Sequence, residues 1–180
     1  MAAIAIEVGD YSLSKGVKAA LRTNIDATIT TLSATVSDYL PDDLQGSGAN
    51  VYLSDLRLPP QARQWIVIGV ALAENVRAIT LGQQISRFEV TLTAGVQGFT
   101  KARSGVDPSP TFEDATWQTA GLLSRAADYC LERYLIAETT VYNCQRLRTA
   151  RVPIDPTKPN LCAVQSVHAV WMRTRAAIGE

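Results

Sequence analysis

The residues that most often hold metals or carry out acid–base chemistry are scarce in this chain of 180 residues. It has one histidine, His168, and three widely separated cysteines, Cys130, Cys144 and Cys162. Structural zinc sites take Cys and His ligands in closely spaced pairs, and a disulfide framework needs an even number of cysteines. The sequence therefore predicts no metal site, no cofactor and no disulfide framework, and its cysteines suit a reducing cytoplasm.

Net charge and long apolar runs are also missing. Seventeen basic residues balance seventeen acidic ones, so the chain as a whole has no field that would collect nucleic acid non-specifically. No apolar run approaches the roughly 20 residues that cross a bilayer, and the first ten residues lack the basic start of a signal peptide. Hydrophobic residues make up 47% of the chain. These features predict a globular intracellular domain with no membrane partner.

The first third of the chain predicts one helix and one short extended stretch. Apolar residues recur every three or four positions over residues 13–40, which is typical of a helix, and Pro41 ends the pattern. Several threonines weaken its second half. The polar residues 42–50 contain Gly46-Ser47-Gly48, which has no third glycine and no strong preceding strand, so we interpret it as a flexible linker rather than a nucleotide loop. Residues 51–58 are the extended stretch.

The middle of the chain predicts two strands. The apolar run over residues 65–72 is typical of a strand covered on both faces at the centre of a sheet. Residues 87–97 alternate, which indicates a strand with one wet face; its apolar positions are Phe88, Val90, Leu92, Ala94 and Val96. We expect these strands to pair as an antiparallel hairpin with a long connection through residues 74–86.

A long helix and a second hairpin complete the pattern. A helical stripe covers residues 111–137, and strands over 141–152 and 163–175 flank a proline-rich turn. The order of these elements predicts an α+β fold, an antiparallel or mixed β-sheet with the long helix packed on one face and an N-terminal helix.

We expect a single domain over residues 1–180. Within it, residues 1–48 are predicted to be an N-terminal helical segment and linker, and residues 49–180 a core of sheet plus helix.

No enzyme motif is present. The chain has no GxSxG elbow, no phosphate-binding P-loop and no HExxH helix. His168 shares its predicted strand face with apolar residues and Cys162, while Cys130 and Cys144 lie inside apolar patterns, so all are interpreted as core. The carboxylates Asp128 and Glu132 are predicted to lie on a solvated helix face. We therefore expect no catalytic residues and no enzymatic activity.

Charge is unevenly distributed along the neutral chain. Residues 1–60 carry four basic and seven acidic groups, whereas residues 139–180 carry six basic and two acidic groups. Arg146 and Arg148 are predicted to share one strand face, so that the terminal hairpin carries a basic band. Scattered solubilising arginines and a contact with another subunit or a polyanion both remain open. The candidates for a subunit interface are Arg146, Arg148, Arg151, Arg173, Arg175, Asp42 and Asp43. The long loop over residues 98–110 adds Lys101 and Arg103 as candidates for contacts along a ring axis.

The element order resembles a known group of proteins. The chain has an N-terminal helix, the segment Asn50-Val51-Tyr52-Leu53-Ser54-Asp55-Leu56-Arg57-Leu58-Pro59-Pro60, the apolar strand Trp65-Ile66-Val67-Ile68, a second strand, a long loop, a long helix and a final hairpin. This order is similar to that of the tail terminator and neck proteins of long-tailed bacteriophages, which are small α/β subunits that form hexameric rings.

The resemblance implies a virion structural protein at the head–tail neck, made in the host cytoplasm. A homo-oligomeric ring, expected to be a hexamer, would cap the tail tube and stop its polymerisation. It would then join the tube to the neck or connector. The implied partners are further copies of the chain, the tail tube protein and the neck or connector protein, with DNA passing transiently through the lumen. Two alternatives remain open, another head-completion or connector protein of the virion and a cellular non-enzymatic module that binds a ligand or protein.

Overall fold

The structure, a computed structural model, describes residues 2–35, 44, 46–53, 62–80, 83–97, 112–135, 140–152 and 161–175. Within these ranges the elements are α1 (Ala2–Thr35), a 3₁₀ turn (Ser47–Asn50), β1 (Val51–Leu53), β2 (Gln64–Thr80), β3 (Gln83–Gln97), α2 (Phe112–Leu135), β4 (Val141–Val152) and β5 (Leu161–Arg175). None of the described helices is long and apolar enough to span a membrane.

The described strands form one mixed sheet in the order β1-β2-β3-β5-β4. β1 runs parallel to β2, and the other neighbours are antiparallel. The predicted α+β fold, a mixed sheet with a long helix and an N-terminal helix, is confirmed. β3 rather than β2 occupies the centre. The three residues of β1 pair only with Ile66–Ile68, so β2 has a partner on its outer side for a short stretch, and Ala71 is exposed.

The β2–β3 hairpin is confirmed, but the long connection expected through residues 74–86 is wrong. β2 continues to Thr80 and β3 begins at Gln83, and the two strands stay paired between these ends. Register shifts follow Leu72, Asn75 and Ala78. Because these shifts break the period-two alternation, the sequence pattern does not reveal the extended part of the hairpin.

Both helices pack on one face of the sheet. The face of β3 predicted to be buried is confirmed, and Phe88, Val90, Leu92, Ala94 and Val96 belong to the same core cluster as residues of both helices. α2 contacts β3, β4 and β5, whereas α1 contacts β1, β2 and β5 and packs along α2. α2 is therefore covered by the sheet on one side and by α1 on another, so its buried surface is wider than a single stripe.

α1 starts earlier than predicted and belongs to the core. It begins at Ala2 rather than near Leu13, and one row of its side chains is almost completely buried: Leu13, Val17, Leu21, Ile25 and Ile29. Its threonine-rich second half stays helical, because Ile25 and Ile29 are completely buried there and packing of an apolar face outweighs intrinsic propensity. The hydroxyls of Thr30 and Thr31 donate to the carbonyls four residues earlier. The N-terminal segment is thus a structural part of the domain.

Of the segment interpreted as a flexible linker, the described residues 46–50 pack against α1, so for this part the interpretation is wrong. Ser47 and Gly48 are buried, and the Ser47 hydroxyl donates to the Leu44 carbonyl over 2.6 Å. The backbone N–H of Gly48 points to the Asp26 carboxylate at 3.4 Å. A Cβ at position 48 would lie 2.6 Å from the Arg22 carbonyl oxygen, so the glycine permits the close approach of this turn to the helix.

Trp65 lies across the sheet face opposite the helices. It pairs with Gly95 on β3, and a Cβ added to Gly95 would overlap the Trp65 indole ring. The nearest atom to a Cβ at Gly69 would be the Thr91 Cβ at an ordinary 3.7 Å. A Cβ therefore has room at Gly69, whereas the indole ring occupies its position at Gly95.

Gly95→Ala should destabilise the protein by about 1–3 kcal/mol, because the indole ring must leave its position. Gly69→Ala is the matched control and should leave stability within about 0.5 kcal/mol or raise it slightly. Urea unfolding of both variants measures the difference. Equal midpoints would show that Trp65 does not cover Gly95.

Candidate functional site

Two polar side chains interrupt the core face of β5. Ser166 and His168 alternate with apolar residues along the strand, and both are completely buried. Buried polar groups need hydrogen-bond partners, because an unmet one costs about 1–3 kcal/mol. A partner must therefore come from the helices or from the neighbouring strands.

The partner is Asp128 on α2, whose side chain is 4% exposed. Its Oδ1 accepts hydrogen bonds from the Ser166 hydroxyl at 2.5 Å and from His168 Nε2 at 2.9 Å. Its Oδ2 accepts one from Arg146 Nη1 on β4 at 3.1 Å. We call Asp128, Ser166, His168 and Arg146 the Asp128 cluster. It joins α2, β4 and β5 through one carboxylate.

The prediction that Asp128 lies on a solvated helix face is wrong. It assumed that α2 buries only its most apolar stripe, whereas α2 is covered on two sides. Its small side chains at Ala120, Ser124 and Ala127 are buried as well, which brings the backbone of α2 close to its neighbours. Glu132, one turn further along, is half-buried.

Asp128 remains ionised in the fold. Burial raises the pKa of its carboxyl, but the hydrogen bonds from His168, Ser166 and Arg146 together outweigh burial and lower the pKa below its ordinary value of 3.8. An ionised carboxylate only accepts hydrogen bonds, so His168 Nε2 carries a proton. His168 Nδ1 on the other side of the ring is buried and has no hydrogen-bond partner among the described residues.

The cluster contains the residue types of a hydrolase triad in a different arrangement. In a triad the histidine lies between serine and carboxylate and takes the serine proton. Here the carboxylate lies in the middle, and Ser166 and His168 both donate to the same oxygen. Both side chains are also sealed from solvent. This geometry fastens a helix to two strands and presents no nucleophile to a substrate.

The core cysteines are buried as predicted. Burial raises the pKa of the Cys130 thiol to about 11 and that of Cys144 to about 12. Both thiols are therefore protonated at neutral pH, which makes them poor nucleophiles. In the described residues no group of three His, Cys, Asp or Glu side chains has the geometry to hold a metal ion.

The structure separates two arginines that were predicted to share a strand face. Arg146 is in register with His168, whereas Arg148 is in register with Val167. Neighbouring residues of β5 point to opposite faces, so Arg146 turns toward α2 and Arg148 turns away. The reason is a register shift between the two arginines, which leaves Leu147 as an extra residue in β4.

The other hairpin arginines are also divided. Arg151 turns toward α2, and its guanidinium lies 4.9 Å from the centre of the Trp117 ring. Arg173 lies on the opposite face, where its Nε donates to the Tyr142 hydroxyl at 2.5 Å. Arg175 is in register with Gln83 at the end of β5. The predicted basic band is thus two groups on two faces.

The remaining candidates, Asp42, Asp43, Lys101 and Arg103, lie outside the residues that the structure describes. The structure therefore brings together one predicted residue, Arg146, with three that the sequence did not assign to a site. A signal for that group does exist in the sequence. Ser166 and His168 are two polar residues on an otherwise apolar strand face, which requires a polar partner on the opposing helix.

Asp128→Asn should lower the free energy of unfolding by about 1–3 kcal/mol at neutral pH, because an NH2 group that cannot accept replaces one carboxylate oxygen and the remaining hydrogen bonds go to a neutral oxygen. Glu132→Gln, one turn away, is the control and should change stability by less than about 0.5 kcal/mol. Chemical denaturation of both variants gives the comparison.

The same comparison should depend on pH. The pKa of Asp128 is lower in the folded state, so its contribution is complete above the ordinary value of 3.8 and is lost as the pH falls through the folded-state pKa. The difference in the free energy of unfolding between wild type and Asp128→Asn should therefore shrink as the pH is lowered. A difference that stays constant into strong acid would contradict an ionised Asp128.

Comparisons with known proteins show a likeness to solved structures but no family. No protein-family model matches the chain, and no curated protein matches it. One solved structure to which the chain is similar is described as "Virion of native gene transfer agent (GTA) particle", with 14% sequence identity and a TM-score of 0.48. The match covers 71% of this chain and 80% of that chain.

Proposed function

We propose that this chain is a structural protein of a bacteriophage virion, a tail terminator whose copies form a ring at the head–tail neck. The ring caps the last ring of the tail tube, stops its polymerisation and joins it to the connector. Each copy contributes binding surfaces and no catalytic step.

The observation that carries the proposal is the order of elements. An N-terminal helix, a short extended segment, an apolar strand, a second strand, a long helix and a terminal antiparallel hairpin follow one another in the described residues. This is the order on which the resemblance to tail terminator and neck proteins rests.

The surface charge supports assembly. Among the described basic side chains, Arg87 pairs with Glu89 and Arg146 pairs with Asp128. In the same part of the chain, no ion pair involves Arg125 or Arg148. Both side chains are exposed, so their charges are available to a second subunit. The acidic excess of residues 1–60 and the basic excess of residues 139–180 suit contacts between unlike surfaces of identical subunits.

The Asp128 cluster supports a non-catalytic role. Its carboxylate, hydroxyl and imidazole bind one another inside the core, and the raised pKa values of Cys130 and Cys144 keep those thiols protonated. Their chemistry is used to hold the fold together.

Native mass spectrometry of the purified protein at micromolar concentration should give a closed oligomer, with a hexamer as the expected mass. A dilution series provides the control, because a ring held by specific contacts dissociates at a defined concentration. A strict monomer at every concentration would contradict the proposal and favour a monomeric binding module.

A second experiment separates a terminator from a connector. The protein is added to polymerising tail tube protein from the same virus, and tube lengths are measured by negative-stain electron microscopy. A terminator should shorten the tubes in proportion to its concentration and appear at their ends. Unchanged tubes, together with binding to DNA-filled heads, would instead assign the chain to head completion.

A further inference from the structure

We propose that the cleft between α2 and the edge strand β4 binds the phosphate backbone of a double-stranded nucleic acid. We call it the arginine cleft, and its residues are Gly121, Arg125, Arg146, Thr149 and Arg151. The inference concerns a binding site on each single copy, so it goes beyond the proposed ring and is tested separately from it.

Three side chains of β4 form one wall of the cleft. Arg146, Thr149 and Arg151 are in register with alternate residues of β5 over 164–168, so all three lie on the sheet face that carries the helices. All three are also exposed. The partners of the two arginines are four residues apart on β5, which separates the two backbone positions by about 13 Å.

α2 forms the opposite wall. Its residues that contact the two arginines of β4 are Trp117 and Asp128. Gly121 and Arg125 lie between them on the same side of the helix, at steps of four residues. A Cβ added to Gly121 would meet no neighbouring atom within 4 Å, and Arg125 is exposed. The middle of the cleft is therefore open to a ligand.

Two of the three guanidinium groups are held in place by the fold. Arg146 donates one N–H to Asp128 Oδ2 at 3.1 Å, yet its side chain is 48% exposed, and a guanidinium has five N–H groups to donate. The guanidinium of Arg151 lies 4.9 Å from the centre of the Trp117 ring, where it is attracted to the ring. Side chains that are already positioned lose less conformational entropy when they bind a ligand.

The cleft has an excess of positive charge. In the described part of the chain, no ion pair involves Arg125 or Arg151. The carboxylate of Asp128 is already bonded by three donors. Glu132 lies one helical turn beyond Asp128, near Cys144, and so outside the cleft. An anionic ligand therefore finds guanidinium groups that no carboxylate in the cleft competes for.

The donors of the cleft match phosphate groups. Guanidinium groups bind phosphate through paired N–H donors, and hydroxyls such as that of Thr149 commonly donate to phosphate oxygens of nucleic acids. One strand of a DNA duplex rises about 3.4 Å per phosphate, so the length of about 13 Å spans about four phosphates. A phosphate polymer uses this length, whereas one small anion does not.

The cleft suits a nucleic-acid backbone better than an acidic protein. Protein interfaces have an apolar core that excludes water, and the five residues of the cleft include no large apolar side chain. The ring of Trp117 is half-buried and lies under Arg151, so the cleft has no aromatic platform for stacking bases. The contact therefore involves phosphates alone and is independent of base sequence.

The decisive variant is Gly121→Glu, which puts a carboxylate into the open middle of the cleft and removes no contact. Gly121→Gln is the matched control, because it adds a side chain of the same size without a charge. Both replace a glycine inside a helix, which favours helix formation. Circular dichroism verifies the fold and sedimentation velocity the oligomeric state. Binding is measured by fluorescence anisotropy of a labelled DNA duplex of about 20 base pairs at about 50 mM and about 200 mM salt.

At low salt Gly121→Glu should raise the Kd for the duplex about ten-fold or more, because attraction becomes repulsion. Gly121→Gln should bind like the wild type, and duplexes of two different sequences should bind equally. Arg125→Gln and Arg151→Gln should each reduce the slope of log K against log salt by about 0.9, since each loses one phosphate contact. Arg22→Gln, which removes an exposed arginine of α1, should leave that slope unchanged.

Equal affinities of Gly121→Glu and Gly121→Gln would overturn the inference, as would a wild type that does not bind the duplex at low salt. The slope of Arg125→Gln decides the question if Gly121→Glu does not fold, and an equal change of slope in Arg22→Gln would also count against the cleft. Displacement of the duplex by polyglutamate at the same concentration of charge would assign the cleft to an acidic protein instead. A monomer that binds the duplex would contradict the proposed ring and leave the nucleic-acid site standing.

Discussion

The carboxylate of Asp128 is almost completely shielded from bulk water, so protein donors must stabilise its charge. Ser166 and His168 on β5 and Arg146 on β4 supply them, and each donor comes from a fixed position in the strand register. A helix that carried this carboxylate elsewhere would leave a buried charge without partners, which is among the most destabilising faults in a core. The position of α2 over the terminal hairpin therefore depends on this one group.

The same requirement shapes the outer edge of the sheet. Arg146 has to turn inward to reach Asp128, and the extra residue Leu147 then directs Arg148 to the opposite face. A regular strand would have placed both arginines on one side, as the spacing predicted. The irregularity turns one arginine into a structural group and leaves the other exposed.

Much of the fold could be predicted from local patterns of apolar residues in the sequence. The alternation of β3 and the stripe of α2 identified the core side, because burial on one face imposes a fixed period. The extension of β2 to Thr80 could not be predicted from the sequence, because three register shifts interrupt the period-two alternation of its residues. The Asp128 cluster was missed for another reason. The burial of Asp128 depends on α1 and the sheet both covering α2, and this long-range packing leaves no local mark. Only the polar pair Ser166 and His168 on an apolar face pointed to it.

The central claim is that copies of this chain assemble into a ring through unlike surfaces, and electron cryomicroscopy of the assembled protein tests it most directly. The account predicts a closed ring in which each subunit presents one surface to the neighbour on one side and a different surface to the neighbour on the other side. Particles that are monomers, or dimers joined by the same surface of both copies, would contradict it.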